Sequence, residues 1–243
     1  MKRYCRLVYQ CVLLLLISIP LLMLTNSAWA AETKTTDTVT LEQYMKRAET
    51  GDLKAQLILG GKYLQGNGVQ LNYKEAAKWY RKAADQGSPE GQTVTGLLYL
   101  NGQGVEKNTA RAIEYLEKAA NQGYALAQYN LGNVYMRGIG IPQDYQKAMS
   151  WYRKAADNGD VFSMSNLAGG YYEGKGLPQD FGEAAKWASR AAERGDSAAQ
   201  YHLGIMYSKG QGVTQDDKLA KKWLRSAAGK GYLPAKKALL EMQ

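Results

Sequence analysis

The sequence predicts an all-α solenoid of five helix-loop-helix repeats. Three observations carry this reading. Gly51, Gly87, Gly123, Gly159 and Gly195 each open a copy of 36 residues, without insertion or deletion, and Gly231 opens a truncated sixth. Within each copy small, apolar and aromatic residues recur every four positions, as in Ala127, Leu131 and Tyr135, which places them on one helical face. A G-x-G turn then divides the copy, as in Gly138-Ile139-Gly140. A period of this length is one supersecondary unit that buries its apolar face only by stacking on its neighbours.

The first 30 residues differ in kind. Lys2, Arg3 and Arg6 precede an apolar run from Val12 to Leu24, and Ala28-Trp29-Ala30 offers a small-x-small cleavage site. This predicts a secretory signal peptide over 1–30, cut after Ala30, and a periplasmic or secreted product. The rival is an uncleaved membrane anchor with the solenoid outside the cytoplasm, but the run is short and Pro20 interrupts it. Both cysteines, Cys5 and Cys11, lie in this segment, so the remainder has neither disulfides nor thiol chemistry. Removing the segment leaves 28 basic residues against 22 acidic, a net charge of about +6. Such mild charge reads as a solvated surface, with the basic residues late in each second helix complementing its C-terminus. No basic-aromatic ladder points to nucleic acid.

Residues 31–40 (AETKTTDTVT) read as a flexible, Thr-rich leader. Residues 41–50 read as a leading helix capped by Thr40 and ended by Gly51, a half-repeat covering the end of the stack. The repeats span 51–86, 87–122, 123–158, 159–194 and 195–230, the cap 231–243, and the whole solenoid 41–243. In the first helices Asp52, Ser88, Asp160 and Asp196 are N-caps. Mid-helix Gly60, Gly96, Gly132, Ala168 and Gly204 imply close approach of the neighbouring helix, since glycine there otherwise costs about 1 kcal/mol. The second helices begin at Asn72, Asn108, Asp144, Asp180 and Asp216. Their aromatics Trp79, Tyr115, Trp151, Trp187 and Trp223, three residues past an alanine, are expected in the core.

Each copy thus follows A-x-x-x-L-G-x-x-Y-x-x-G-x-G-V-x-x-D/N-x-x-x-A-x-x-W-Y-x-K-A-A-x-x-G, which closely resembles the Sel-1-like repeat, a relative of the tetratricopeptide repeat with a longer, glycine-bearing loop. The resemblance runs from Leu41 to Gln243. It departs at Gly91 and Thr95 in the second copy and at Ser163 and Ala168 in the fourth. It implies a right-handed α/α superhelix with first helices lining the concave face, and a protein-binding adaptor in which no cofactor takes part. Some relatives neutralise secreted toxins, so a periplasmic immunity or inhibitor protein is the alternative. A cysteine-rich branch is linked to β-lactam binding and hydrolysis; this chain lacks its cysteine pairs, and the activity is not carried over.

By analogy with the tetratricopeptide groove, the partner site falls on first-helix positions off the core stripe. Early copies offer Leu57, Ile58, Val94, Leu97 and Leu100; later ones offer Tyr129, Asn130, Asn133, Arg137, Phe162, Asn166, Tyr172, Glu173, Tyr201 and His202. Asn130, Asn166 and His202 are 36 apart and are expected to form a ladder that pairs with an extended peptide, with Tyr and Phe as anchors. The expectation is a monomer that binds a protein or peptide, touches a membrane only through an uncleaved leader, and has no catalytic or metal site. One histidine and no cysteine beyond Ala30 supply neither the usual zinc sets nor an activated nucleophile.

Overall fold

The computed structural model describes residues 40–242, which form twelve α-helices and no strand. The expected signal segment and residues 31–39 of the leader lie outside the described residues. The helices are α1 Leu41–Glu49, α2 Leu53–Gln65, α3 Tyr73–Asp85, α4 Pro89–Asn101, α5 Thr109–Asn121, α6 Ala125–Arg137, α7 Tyr145–Asp157, α8 Val161–Glu173, α9 Phe181–Glu193, α10 Ser197–Lys209, α11 Asp217–Gly229 and α12 Leu233–Glu241. Even-numbered helices from α2 to α10 are the first helices of the five repeats, and their odd-numbered successors the second. Packing runs between consecutive helices, within and between repeats, which is the local connectivity of a solenoid.

Capping fixes where each helix starts. Thr40 Oγ1 accepts from Gln43 N–H while Gln43 Oε1 accepts from Thr40 N–H, a reciprocal capping box. The carboxylates of Asp52, Asp160 and Asp196 and the hydroxyl of Ser88 accept from the N–H three residues on. All five Asx residues do the same for the second helices. Tyr124 and Tyr232 stand at the corresponding positions of α6 and α12 and supply no side-chain cap.

Two kinds of glycine close the helices. The first glycine of each G-x-G is a left-handed C-cap; at Gly138, φ is 65° and the N–H bonds to Val134 O. The second glycine is there for space. A Cβ on Gly104, Gly176 or Gly212 would lie 1.9–2.4 Å from the carbonyl oxygen of Tyr73, Tyr145 or Phe181 respectively. Each of these carbonyls opens the second helix of the preceding repeat, so the loop seats directly on it. Gly68 has no preceding repeat, and its nearest neighbour is the tip of Lys62 at 3.7 Å. The loop closes identically each time: the Asx N–H donates to the carbonyl of the stripe tyrosine, from Asn72 to Tyr63 through Asp216 to Tyr207.

The mid-helix small residues answer to a single side chain in the second helix. A Cβ on Gly60 would lie 2.8 Å from the Tyr80 ring, on Gly132 2.4 Å from Tyr152, on Gly96 2.9 Å from Leu116 and on Gly204 2.7 Å from Leu224. In the fourth repeat both partners change together: Ala168 faces the core with Ala188 at the large residue's position. This sorts the W-Y pair in a way the motif did not. The second member, at 80, 116, 152, 188 and 224, is at most 5% exposed in every repeat. Of the first members, expected in the core, Trp79 and Trp187 are buried while Tyr115, Trp151 and Trp223 are half-buried. They lie beneath basic side chains, with Lys154 Nζ 4.1 Å from the Trp151 centroid and Lys222 Nζ 5.5 Å from that of Trp223.

Gly132→Ala is therefore expected to destabilise the chain by about 1–3 kcal/mol in urea denaturation, although alanine is the better helix former. Ala188→Leu alone should be destabilising and Ala168→Gly should relieve it; strictly additive effects would refute the pairing. The second copy carries a separate defect. Thr95 replaces the stripe leucine of the other four repeats, is buried, and its Oγ1 has no hydrogen-bond partner. Thr95→Val keeps the shape and removes the orphaned hydroxyl, so the same measurement should show stabilisation of about 1 kcal/mol.

Candidate functional site

The first-helix face of repeats three to five carries the residues the sequence singles out. Tyr129, on α6, is half-buried and packs against Tyr152 and, in the next repeat, Phe162, at centroid separations of 6.1 and 6.0 Å. The same Tyr152 that fills the space over Gly132 donates its hydroxyl to Asn133 Oδ1 at 2.8 Å. Asn133 is thus oriented by the core, with its Nδ2 left as a donor. Phe162 is 43% exposed, one of few large apolar side chains so open to water. Asn166, one turn further on α8, is half-buried and makes no hydrogen bond among the described residues.

A second cluster follows on α10. Tyr201 contacts His202 at 5.2 Å and Tyr232 at 5.5 Å, joining the fifth repeat to the terminal helix. Burial raises the Tyr201 pKa. His202 has a large accessible surface, with the Tyr201 ring against one side of its imidazole. Desolvation lowers its pKa from the ordinary histidine value while Asp196 opposes the change. Its open surface limits the size of the effect. Arg137 and Glu173 end their helices exposed and without ion pairs among the described residues.

Two residues depart from the expected arrangement. Asn130 is 3% exposed and its Nδ2 donates to Leu126 O at 2.7 Å, one turn back on its own helix. A buried amide needs a partner, and the nearest is that carbonyl, so the expected ladder of 130, 166 and 202 loses its first rung. Tyr172 donates to Gln211 Oε1 at 2.8 Å and sets its ring edge-on to Phe181 at 5.2 Å. Its visible contacts tie two repeats together instead of standing open to a ligand. Among the apolar positions, Val94, Leu97 and Leu100 are buried, whereas Leu57 and Ile58 are half-buried.

A structural network went unread in the sequence. Gln56, Gln92, Gln128 and Gln200, each just after the small residue of the stripe, are buried and donate to Ala48, Ala84, Ala120 and Ala192 O at the end of the preceding second helix. The first three accept in turn from Gln86, Gln122 and Asn158 at 2.7–2.9 Å. The fourth repeat has Met164, approached by Arg194 Nη1 at 3.9 Å from Sδ. The 36-residue recurrence of glutamine was visible, but surface and buried glutamine look alike in a sequence.

Among the described residues no group of three His, Cys, Asp or Glu is placed to hold a metal ion. His202 has no hydrogen-bonded hydroxyl or carboxylate beside it. The arrangement can present exposed aromatic surface, free amides and charges to an extended partner.

Five stretches, 53–88, 89–124, 125–160, 161–196 and 197–232, match the Sel1 repeat. A protective antigen of uropathogenic Escherichia coli with an SLR fold superposes with a TM-score of 0.77 at 36% identity, over 80% of this chain and 42% of its own. This chain therefore spans less than half of that protein's length. A Sel1 repeat protein from Oxalobacter formigenes gives 0.70 at 34% identity, over 82% of this chain and 77% of its own. An immunity protein from Pseudomonas aeruginosa, at 21% identity and a TM-score of 0.52 over 86% of this chain and 79% of its own, shares the fold. No curated protein gives a significant match.

His202 is the chain's single histidine, so its imidazole resonances are unique. An NMR titration is expected to give a pKa below about 6.5. By linkage, folding then favours neutral His202, and its contribution is present above that value and lost as pH falls through the lowered pKa. A pKa at or above the ordinary value would refute the desolvated setting.

Proposed function

The chain belongs to the Sel1 repeat family, whose members are helical scaffolds that mediate protein interactions, and from that premise we propose that it is an exported, non-enzymatic scaffold that binds an extended segment of a partner protein along the first-helix face of repeats three to five. The observation that carries this reading is the open Phe162 ring, braced by Tyr129 beside the unengaged amide of Asn166. A rigid aromatic anchor next to a free donor-acceptor suits extended backbone, because the anchor loses little entropy on contact and the amide pairs with peptide groups. Tyr201, His202, Asn133 and Arg137 extend the same face. Asn130 and Tyr172 belong to its support.

Export rests on residues 1–30, read as a signal peptide cut after Ala30 into the periplasm or beyond. No helix among the described residues is long and apolar enough to cross a membrane.

A photo-crosslinking residue at position 166 is expected to capture the partner in cells, while the same residue at Lys218, exposed on α11, should not. Phe162→Ala with Asn166→Ala should reduce capture about tenfold or more at unchanged helicity. Adducts from 218 but not 166 would place binding on the other helical layer and overturn the proposal.

A further inference from the structure

We infer a second, separate binding site: a cleft between the second helices of repeats three and four that takes a carboxylate side chain from an acidic segment of a protein. The cleft is a shallow groove open to solvent, of about 620 Å³, between α7 and α9. Its floor is Trp187, only 4% exposed. Two guanidinium groups lie against this one indole, Arg153 from the preceding repeat at 4.8 Å and Arg190 from the same helix at 4.6 Å from the ring centroid. Arg153 is further held by donating to the Tyr171 hydroxyl.

Stacking occupies only the face of a guanidinium, so beyond the Arg153 bond to Tyr171 the in-plane donors of the two groups on this ring have no carboxylate within ion-pair distance among the described residues. A carboxylate accepts two parallel N–H bonds from such a fork and neutralises the pair. The cleft also discriminates among anions. Its one other cation, Lys186, is already engaged by Glu183 at 2.7 Å, and Asp157 stands on the rim. These two carboxylates oppose a phosphate dianion more strongly than a single carboxylate.

A different cleft lies two repeats earlier, where the places of Arg190 and Trp187 hold Lys118 and Tyr115 and Arg111 stands where the fourth repeat has Glu183. Arg81 and Arg111, again without ion pairs among the described residues, line a cleft of about 430 Å³ beside Tyr99, whose hydroxyl accepts from Arg111 Nη1 at 3.4 Å. Tyr99 in turn stacks on Tyr115 at 5.9 Å. Arg81 and Arg153 hold the same place in their repeats, as do Tyr99 and Tyr171; the intervening repeat has Glu117 there.

The test is calorimetric titration of the full chain, at low salt, with end-blocked hexaglutamate, hexaglutamine and inorganic phosphate. Hexaglutamate should bind, and hexaglutamine should not. Arg153→Gln with Arg190→Gln should weaken hexaglutamate about tenfold or more, and Arg153→Lys, which keeps the charge but not the fork, should also weaken it. Lys46→Gln with Lys218→Gln removes the same charge elsewhere and should leave binding within about twofold. Circular dichroism of each variant confirms that helicity is retained. Equal loss in the two double variants would show attraction to net charge alone and overturn the proposal, as would phosphate binding as tightly as hexaglutamate. Failure here leaves the first-helix face untouched, since Phe162 and Asn166 take no part.

Discussion

The fold depends on how closely the two helices of a repeat approach. At 60, 96, 132 and 204 the absent side chain lets the second helix lay a tyrosine or leucine across the first helix's backbone. That contact sets the distance between layers, and the layer distance sets where everything else falls. The stripe of Ala, Leu and Tyr reaches the core only at that spacing. In the fourth repeat a methyl group appears at Ala168 only where the opposing side chain has shrunk to Ala188, so the small residue is required by the large one across from it.

Contacts between repeats use different chemistry. In the second, fourth and fifth repeats the second loop glycine seats on the backbone of the repeat before, at a distance no Cβ would permit, and in the third Gly140 packs on the Thr109 side chain. The buried glutamines then tie the end of one second helix to the next first helix and to that repeat's own C-cap residue. The glutamines add a second donor to carbonyls that already accept from the closing glycine N–H, while the loop glycines make a contact of shape alone. The face proposed for a partner is what remains: Phe162 and Asn166 lie on a helix whose other sides are committed.

The period, the caps and the small mid-helix residues were legible because each depends on local chemistry that a residue type reveals. The side-chain acceptors at Asp52 and Asp216, and the tight space over Gly132, follow from types that have few other uses in those places. The W-Y pair was harder. Adjacent helical residues point about 100° apart, and either member reads as core until the opposing helix is in place. The candidate site was legible as a face but not residue by residue. Asn130 and Asn166 hold equivalent positions, yet one bonds to its own helix and the other is left unengaged. The Tyr172 bond to Gln211 left no trace in the sequence, because its partner lies 39 residues away in a loop.

Met164 is the one place where the glutamine tie is missing. Here the joint between the third and fourth repeats has a thioether where its neighbours have a polar clasp. This joint thus differs from its neighbours in chemistry, a buried thioether packing where they hydrogen-bond. The seam runs under the Tyr129–Phe162 contact on one layer and the Arg153–Trp187 contact on the other. Both proposed surfaces therefore rest on one core cluster that includes Met164, and a substitution at that thioether reaches the support of each.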